Sequence, residues 1–570
     1  MICSEIRFVS PRDTIEVHLP DGRAIQGPRG EKVSKFLEAL DNPGSPPIVG
    51  AVVNGELREL TYAINIDAYI RPVTMEEADG MRFYRRSLTF LLESAFNELF
   101  PGNVLTIDHS VFSGGYFCNV SGRPPLTKKE LSRLEKRMRE LSEADIPLTR
   151  QRVPLAEAIQ YFKEHGYDDK VQLLANRKKD YLILYSMGEH RDYHHGYMVP
   201  STGYLKWFAL TPTDHGFTLQ FPRRHRPTEL LPPPSYPKLL ATFTQYGNWL
   251  ERLGINHVGA LNEAIEASRT REVILVSEAL HEQQISDVAS KILSHYRQVR
   301  IIIIAGPSAS GKTTFSKRLS IQLLARGISP FPLEMDNYFV EREKTPKDAE
   351  GERDYEAIEA LDLKLLSKDV KKLIAGEEVQ LPKYNFFTGA REPGEVIRLE
   401  PDQLIILEGI HGMNTNLLPG IQPEKSLRIY TSALTQLNLD RHNRISTTDT
   451  RLIRRIVRDT YQRGYSATET IQRWESVHRG EKRNIFPFQE NADLMFNSAL
   501  VYELSALKSF AEPLLRQVQH GTPEYLEAKR LLSFLEWFLP IESDLIPDNS
   551  ILREFIGNSI LQHFKVWKSD

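Results

Sequence analysis

Ile301-Ile302-Ile303-Ile304-Ala305-Gly306-Pro307-Ser308-Ala309-Ser310-Gly311-Lys312-Thr313-Thr314 decides how the C-terminal half of this chain folds. Four consecutive isoleucines and an alanine read as a strand buried on both faces. The next residues satisfy G-x-x-x-x-G-K-[ST], and Phe315, Leu319, Leu323 and Leu324 then recur at helical spacing. Glycines let backbone N–H groups turn inward around phosphate oxygens, and the helix N-terminus adds positive potential. Gly306, Ser308, Ala309, Ser310, Gly311, Lys312, Thr313 and Thr314 are therefore the candidate nucleotide-binding residues. Lys312 is expected to reach the β- and γ-phosphates, and the Thr313 hydroxyl to ligate magnesium. The bland alternative is a glycine-rich turn without a ligand, against which the flanking strand and helix both speak.

Outward from this motif, 570 residues and 65.4 kDa suggest three or four domains. With 41% apolar and 26% charged residues, wholesale disorder is excluded. Lys and Arg total 72 against 75 Asp and Glu, so the balance of −3 gives no global case for a nucleic-acid coat. Two cysteines, Cys3 and Cys118, make neither a disulfide framework nor a four-ligand zinc site. The first residues lack a basic start followed by an apolar stretch, and no apolar run nears the ~20 residues of a spanning helix. A cytoplasmic, multidomain protein with no membrane contact is expected.

The pattern along the chain divides it into five parts. Residues 1–75 read as short strands and turns: Thr14–Leu19 alternates, Pro20-Asp21-Gly22-Arg23 supplies hairpin chemistry, and Ile48–Val53 enters the tight turn Asn54-Gly55. Residues 76–215 open on a helix carrying Leu88, Leu91, Leu92, Ala95, Phe96 and Leu99, followed by mixed α+β structure. Residues 216–298 read as a proline-rich linker and helical connector, 299–500 as an α/β domain, and 501–570 as a helical tail.

The loop alone does not separate kinases from GTPases or motor ATPases; the residues after it do. A second strand, Ile328–Leu333, ends in Glu334-Met335-Asp336-Asn337-Tyr338-Phe339. An aspartate there points into the ligand crevice of an open α/β sheet and can accept a proton from an attacking hydroxyl. From about Arg300 to Ser498 the sequence resembles the uridine kinase and phosphoribulokinase group of small-molecule kinases. The resemblance implies a P-loop kinase domain with a mainly parallel sheet flanked by helices. It implies ATP and Mg2+ as cofactors, Asp336 as general base, and Phe339 against the base or sugar. Asp354–Asp362 resembles the ribose-holding segment, nominating Glu356. Pro382–Phe386 resembles the nucleobase-contacting stretch, nominating Tyr384 and Phe386. Leu404–Ile410 resembles the strand whose Glu408 helps organise magnesium with Thr313.

Arg451, Arg454, Arg455, Arg458 and Arg463 fall within thirteen residues, the first four on one broad helical stripe. Such a row would clamp transferring phosphates. The family's lid arginines match best at Arg455, Arg458 and Arg463, which join Asp336 and Lys312 as candidate catalytic groups. Two positions depart from uridine kinases: the pyrimidine-reading histidine corresponds to Gly389, and a lid glutamine to Arg473.

Leu19-Pro20-Asp21-Gly22, Val53–Leu57 and Asp67 resemble the TGS module, a β-grasp domain of threonyl-tRNA synthetases and some GTPases. Residues 80–212 resemble the synthetase's editing domain, carried by Gly80–Ser87 and Gly196–Gly203. The family's H-x-x-x-H pair aligns with Arg86 and Phe90, and its Cys-x-x-x-His pair with His194 and Met198. Hydrolysis of mischarged tRNA is therefore not expected. His190, His194 and His195 cluster, but a metal site would want further ligands, and the stretch reads as ordinary histidines.

These features make an ATP-dependent nucleoside kinase, acting on a 5′-hydroxyl, the leading expectation. A kinase of another small alcohol, or an RNA- or tRNA-binding nucleotide sensor, are the alternatives. The N-terminal half is expected to serve as a scaffold, an RNA-binding or regulatory module, or a homo-oligomer surface.

Overall fold

The computed structural model describes residues 12–566, apart from 41–45, 112, 113, 214, 233–235, 349, 350, 352, 386, 387 and 436. The chain forms two compact units. One holds residues 1–234, 440–444 and 519–526; the other holds 235–439, 445–518 and 527–570.

The first unit begins with a five-stranded sheet in the order Ala24–Pro28, Thr14–His18, Ala68–Thr74, Ile48–Val53, Glu56–Glu59. Alternation along Thr14–His18 buries Ile15 and Val17, which pack with Val33, Phe36, Val53 and Ile70. The expected tight turn joins Ile48–Val53 to Glu56–Glu59, with Asn54 at φ +49° and Gly55 at φ +80°. Both central residues at positive φ give the turn whose twist matches the flanking strands.

Helix Ala78–Leu99 follows and is buried along Leu88, Leu91, Leu92, Ala95 and Phe96. Helix Lys128–Glu143 is started by a capping box between Thr127 and Glu130, and buries Leu131, Leu134, Met138 and Leu141. An antiparallel sheet runs Ala209–Thr213, Gly216–Gln220, Gly115–Ser121, Val104–Val111. Gly216–Gln220, read above as the start of the connector, is thus a strand of this sheet. All five of its residues are buried, so its one-faced polar alternation is lost and sequence pattern does not mark it.

The second unit starts with helices Pro237–Leu253, Val258–Glu266 and Thr270–Ser294. Its sheet has five parallel strands in the order Pro330–Glu334, Leu404–Gly409, Ile301–Ala305, Ser426–Ser432, Leu494–Asn497. Every residue of Ile301–Ala305 is buried, as a central strand covered by helices on both faces requires. Among the described residues no helix is long and apolar enough to cross a membrane.

Candidate active site

The chain leaves Ile301–Ala305 for one side of the sheet and later returns to the other. At such a reversal the strand C-termini open into a crevice. Register places Ala305 beside Gly409 and Tyr430, and Glu334 beside Glu408. The glycine loop, Glu408 and the turn Met335–Tyr338 with Asp336 therefore emerge along one edge.

Close approach and backbone conformation both demand the loop's glycines. A Cβ on Gly306 would lie 1.9 Å from the Thr431 carbonyl oxygen, and Gly311 caps helix Lys312–Leu324 at φ +83°. Lys312 Nζ donates to the Pro307 carbonyl at 3.0 Å, and burial depresses its ammonium. Thr313 Oγ1 donates to Glu408 Oε1 at 2.8 Å. Burial pushes the Glu408 carboxyl up to about 7, against the pull of Lys312 and the Thr313 hydroxyl. A hydroxyl and a carboxylate at the loop are hard oxygen donors of the kind magnesium takes alongside substrate phosphates.

Asp336 reaches solvent at the crevice yet is hemmed in by protein, and this desolvation holds its carboxyl above the ordinary range. Lys312 and Arg463 oppose that rise, while Glu334 adds to it. The Phe339 ring lies 5.6 Å from Tyr384 and edge-on to Tyr355 at 6.3 Å, so three aromatics cluster just beyond the acid. The Tyr384 N–H donates to Asn337 Oδ1 at 3.2 Å, tying the hairpin to the acidic turn. Phe386 lies outside the described residues. Glu356 is raised to about 8 by burial and by the Glu481 charge.

Gly389 has φ +73°, and a Cβ there would fall 2.6 Å from Arg342 Nε. No histidine could take that position without displacing Arg342. Arg473 stacks over the Tyr465 ring at 4.4 Å.

The arginine row divides. Arg451 and Arg454, expected to clamp phosphate, are buried instead and pair with Glu481 and Glu503. A guanidinium sealed from water needs a carboxylate partner, and that need fixes both side chains in the interior. Arg458 gives Nε and Nη2 to Asp459 Oδ1 at 2.9 and 2.7 Å. Arg455 reaches Asp459 Oδ2 at 3.1 Å and donates Nη1 to Ser308 Oγ at 3.1 Å, placing it on the loop. Arg463 is exposed, 3.6 Å from Asp459, and its charge acts on Asp336.

Sequence reasoning missed two carboxylates that contact the loop and the start of the helix it feeds. Glu481 Oε1 accepts from the Ser308 N–H at 3.0 Å, while Arg451 Nε donates to the Ser308 carbonyl at 2.8 Å. Glu554 Oε2 accepts from the Thr314 N–H at 3.0 Å and its hydroxyl at 2.9 Å. No local motif surrounds either acid.

Comparison with known proteins bears on both halves. Residues 301–505 match the family model described as the phosphoribulokinase / uridine kinase family. The N-terminal region is 34% identical over 197 residues to a threonine–tRNA ligase of Burkholderia orbicola, covering 34% of this chain and 31% of the relative. A threonine–tRNA ligase of Polaromonas naphthalenivorans is 35% identical over 199 residues, with the same shares covered. The chain thus spans about a third of the length of these relatives. A solved structure described as a possible uridine kinase from Bacillus stearothermophilus is 26% identical, covers 26% of this chain and 79% of its own, and has a TM-score of 0.23. The C-terminal region carries a P-loop kinase-type domain of the matched family, and the N-terminal region is homologous to threonine–tRNA ligases.

Proposed function

We propose that the C-terminal domain transfers the γ-phosphoryl group of ATP to the hydroxyl of a small alcohol, with the 5′-hydroxyl of a nucleoside as the first candidate. The observation that carries this reading is the shared edge of Lys312, the Thr313–Glu408 pair and Asp336. A nucleotide sensor needs the loop; it has no use for an acid and an aromatic cluster beside it.

In this mechanism the loop amides and Lys312 hold the phosphates. Magnesium, held by Thr313 and Glu408, would neutralise charge on the β- and γ-phosphates. Asp336 orients the acceptor hydroxyl and takes its proton as the oxygen attacks the γ-phosphorus. The bond from the γ-phosphorus to the bridging oxygen breaks, and ADP leaves. Arg455 and Arg463 neutralise the charge on the transferring group. Phe339 and Tyr384 supply a stacking surface for the acceptor, and Glu356 a partner for its hydroxyls.

ATP consumption over a panel of nucleosides, ribulose 5-phosphate and pantothenate tests the reading, with Asp336→Asn as control. Turnover on a nucleoside that Asp336→Asn abolishes, with ATP still bound, supports it. Gly389 favours one second reading, an acceptor without a pyrimidine edge, which predicts turnover on another alcohol only. Normal turnover by Asp336→Asn would remove the base assignment.

A further inference from the structure

The first unit contains a buried polar cluster that the kinase reading does not use. Glu93 projects from the apolar helix Ala78–Leu99 and is fully buried, as is Asp192 at the end of strand His190–Asp192. His194, two residues further on, is 2% exposed. Glu93 Oε2 lies 3.1 Å from His194 Nε2 and 3.4 Å from His442 Nδ1. One ligand atom each from Glu93, Asp192 and His194 falls within 4.8 Å of the others. The histidine stretch thus has the companions that its sequence lacked.

We propose that Glu93, Asp192 and His194 bind a divalent transition metal ion of zinc type. Three observations carry this. The first is geometric: bonds of about 2.0–2.2 Å set tetrahedral ligand atoms roughly 3.3 Å apart, and the Glu93–His194 pair already has that separation. The second is an orphan: Glu93 Oε1 is buried with no hydrogen-bond partner, an arrangement that is costly for a carboxylate unless something positive accepts it. The third is charge. Glu93, Asp192 and Asp440 are opposed by one ammonium, Lys170, which stands 3.0 Å from both aspartates. Three negative charges less one positive leave two, which a divalent ion cancels while the imidazoles stay neutral, as ligation requires.

The surroundings fit ligand orientation. Asp192 Oδ2 accepts from His442 Nδ1 at 2.6 Å and Oδ1 from the Tyr193 N–H at 2.6 Å. Such outer contacts fix a ligating carboxylate. A donor set of one imidazole and two carboxylates with no thiolate suits zinc and its neighbours better than copper(I) or an iron–sulfur cluster.

The test is metal content of the full-length protein after dialysis against zinc and then metal-free buffer, read by inductively coupled plasma mass spectrometry. Cobalt(II) substitution, read by its visible absorption, accompanies it. The expected result is about one equivalent per chain, with the intense bands of low-coordinate cobalt. Affinity should fall at least about tenfold in Glu93→Gln and in His194→Asn, and stay unchanged in Glu408→Gln. Circular dichroism checks that the variants fold; if Glu93→Gln does not, His194→Asn and the wild-type cobalt spectrum decide. No retained metal would overturn the proposal. Equal binding by Glu93→Gln and wild type, or loss in Glu408→Gln alone, would also overturn it.

Discussion

Thr314 gives both its backbone N–H and its hydroxyl to a single oxygen of Glu554, at 3.0 and 2.9 Å. Thr314 is the third residue of the helix that the glycine loop feeds, so this N–H is one of the free donors of a phosphate-binding helix start. A carboxylate from near the C-terminus thus occupies a donor in the phosphate cradle. The approach is close enough that a Cβ on Gly311 would lie 2.7 Å from Ile551 Cγ2.

Glu554→Gln is therefore expected to strengthen nucleotide binding. The amide keeps the acceptor oxygen and removes the charge. Unit charges about 4 Å apart repel by about 4 kcal/mol at an effective dielectric of 20, and magnesium offsets much of this. A gain of about tenfold in ATP affinity, measured by titration calorimetry, is the expected outcome. Weaker binding would mean that Glu554 supports the loop instead of competing for it.

The divided arginine row predicts two kinds of variant. Arg454→Ala leaves Glu503 buried without its cation and should cost about 3–5 kcal/mol of stability. Arg463→Ala, at an exposed site, should leave the unfolding free energy within about 0.5 kcal/mol of wild type and lower kcat. Chemical denaturation and steady-state kinetics on both proteins separate the roles. Equal loss of stability would contradict the division.

Glu356 and Glu408 make stability depend on pH in a stated direction. Burial raises them from the ordinary value of 4.5 to about 8 and about 7. Between the ordinary and raised values the folded chain holds protons that the unfolded chain releases. Stability contributed by these groups is thus full below about 4.5 and falls as pH rises toward 7 and 8. Glu356→Gln should flatten this decline and raise the denaturation midpoint at pH 8 relative to wild type. An unchanged pH profile would refute the assignment.

The proposed magnesium role of Glu408 carries a pH dependence of its own. Glu408 must be ionised to ligate, so apparent magnesium affinity should weaken as pH falls below about 7. In Glu408→Gln that pH dependence should vanish along with most of the affinity. Magnesium titrations of activity at pH 6 and pH 8 measure both.

What the sequence determined by itself is the local part. A phosphate loop is a stretch of backbone with its own strand and helix, so Gly306–Thr314 is legible without tertiary context. Asp336 is legible for a similar reason, since it lies just past the C-terminal end of a strand, and Glu408 is legible through the resemblance of its strand to the family's. The glycine at 389 is visible as a departure, but its cause, the Arg342 side chain, is not. The tertiary structure alone decided which arginines stay accessible and which are sealed, because burial is a property of what packs over a helix, not of its spacing. It alone brought Glu554 to Thr314 across 240 residues, and Glu93 to His194 across 101. Charges pair through space, and their energies rise as water is excluded; nothing in the order of residues along the chain records either.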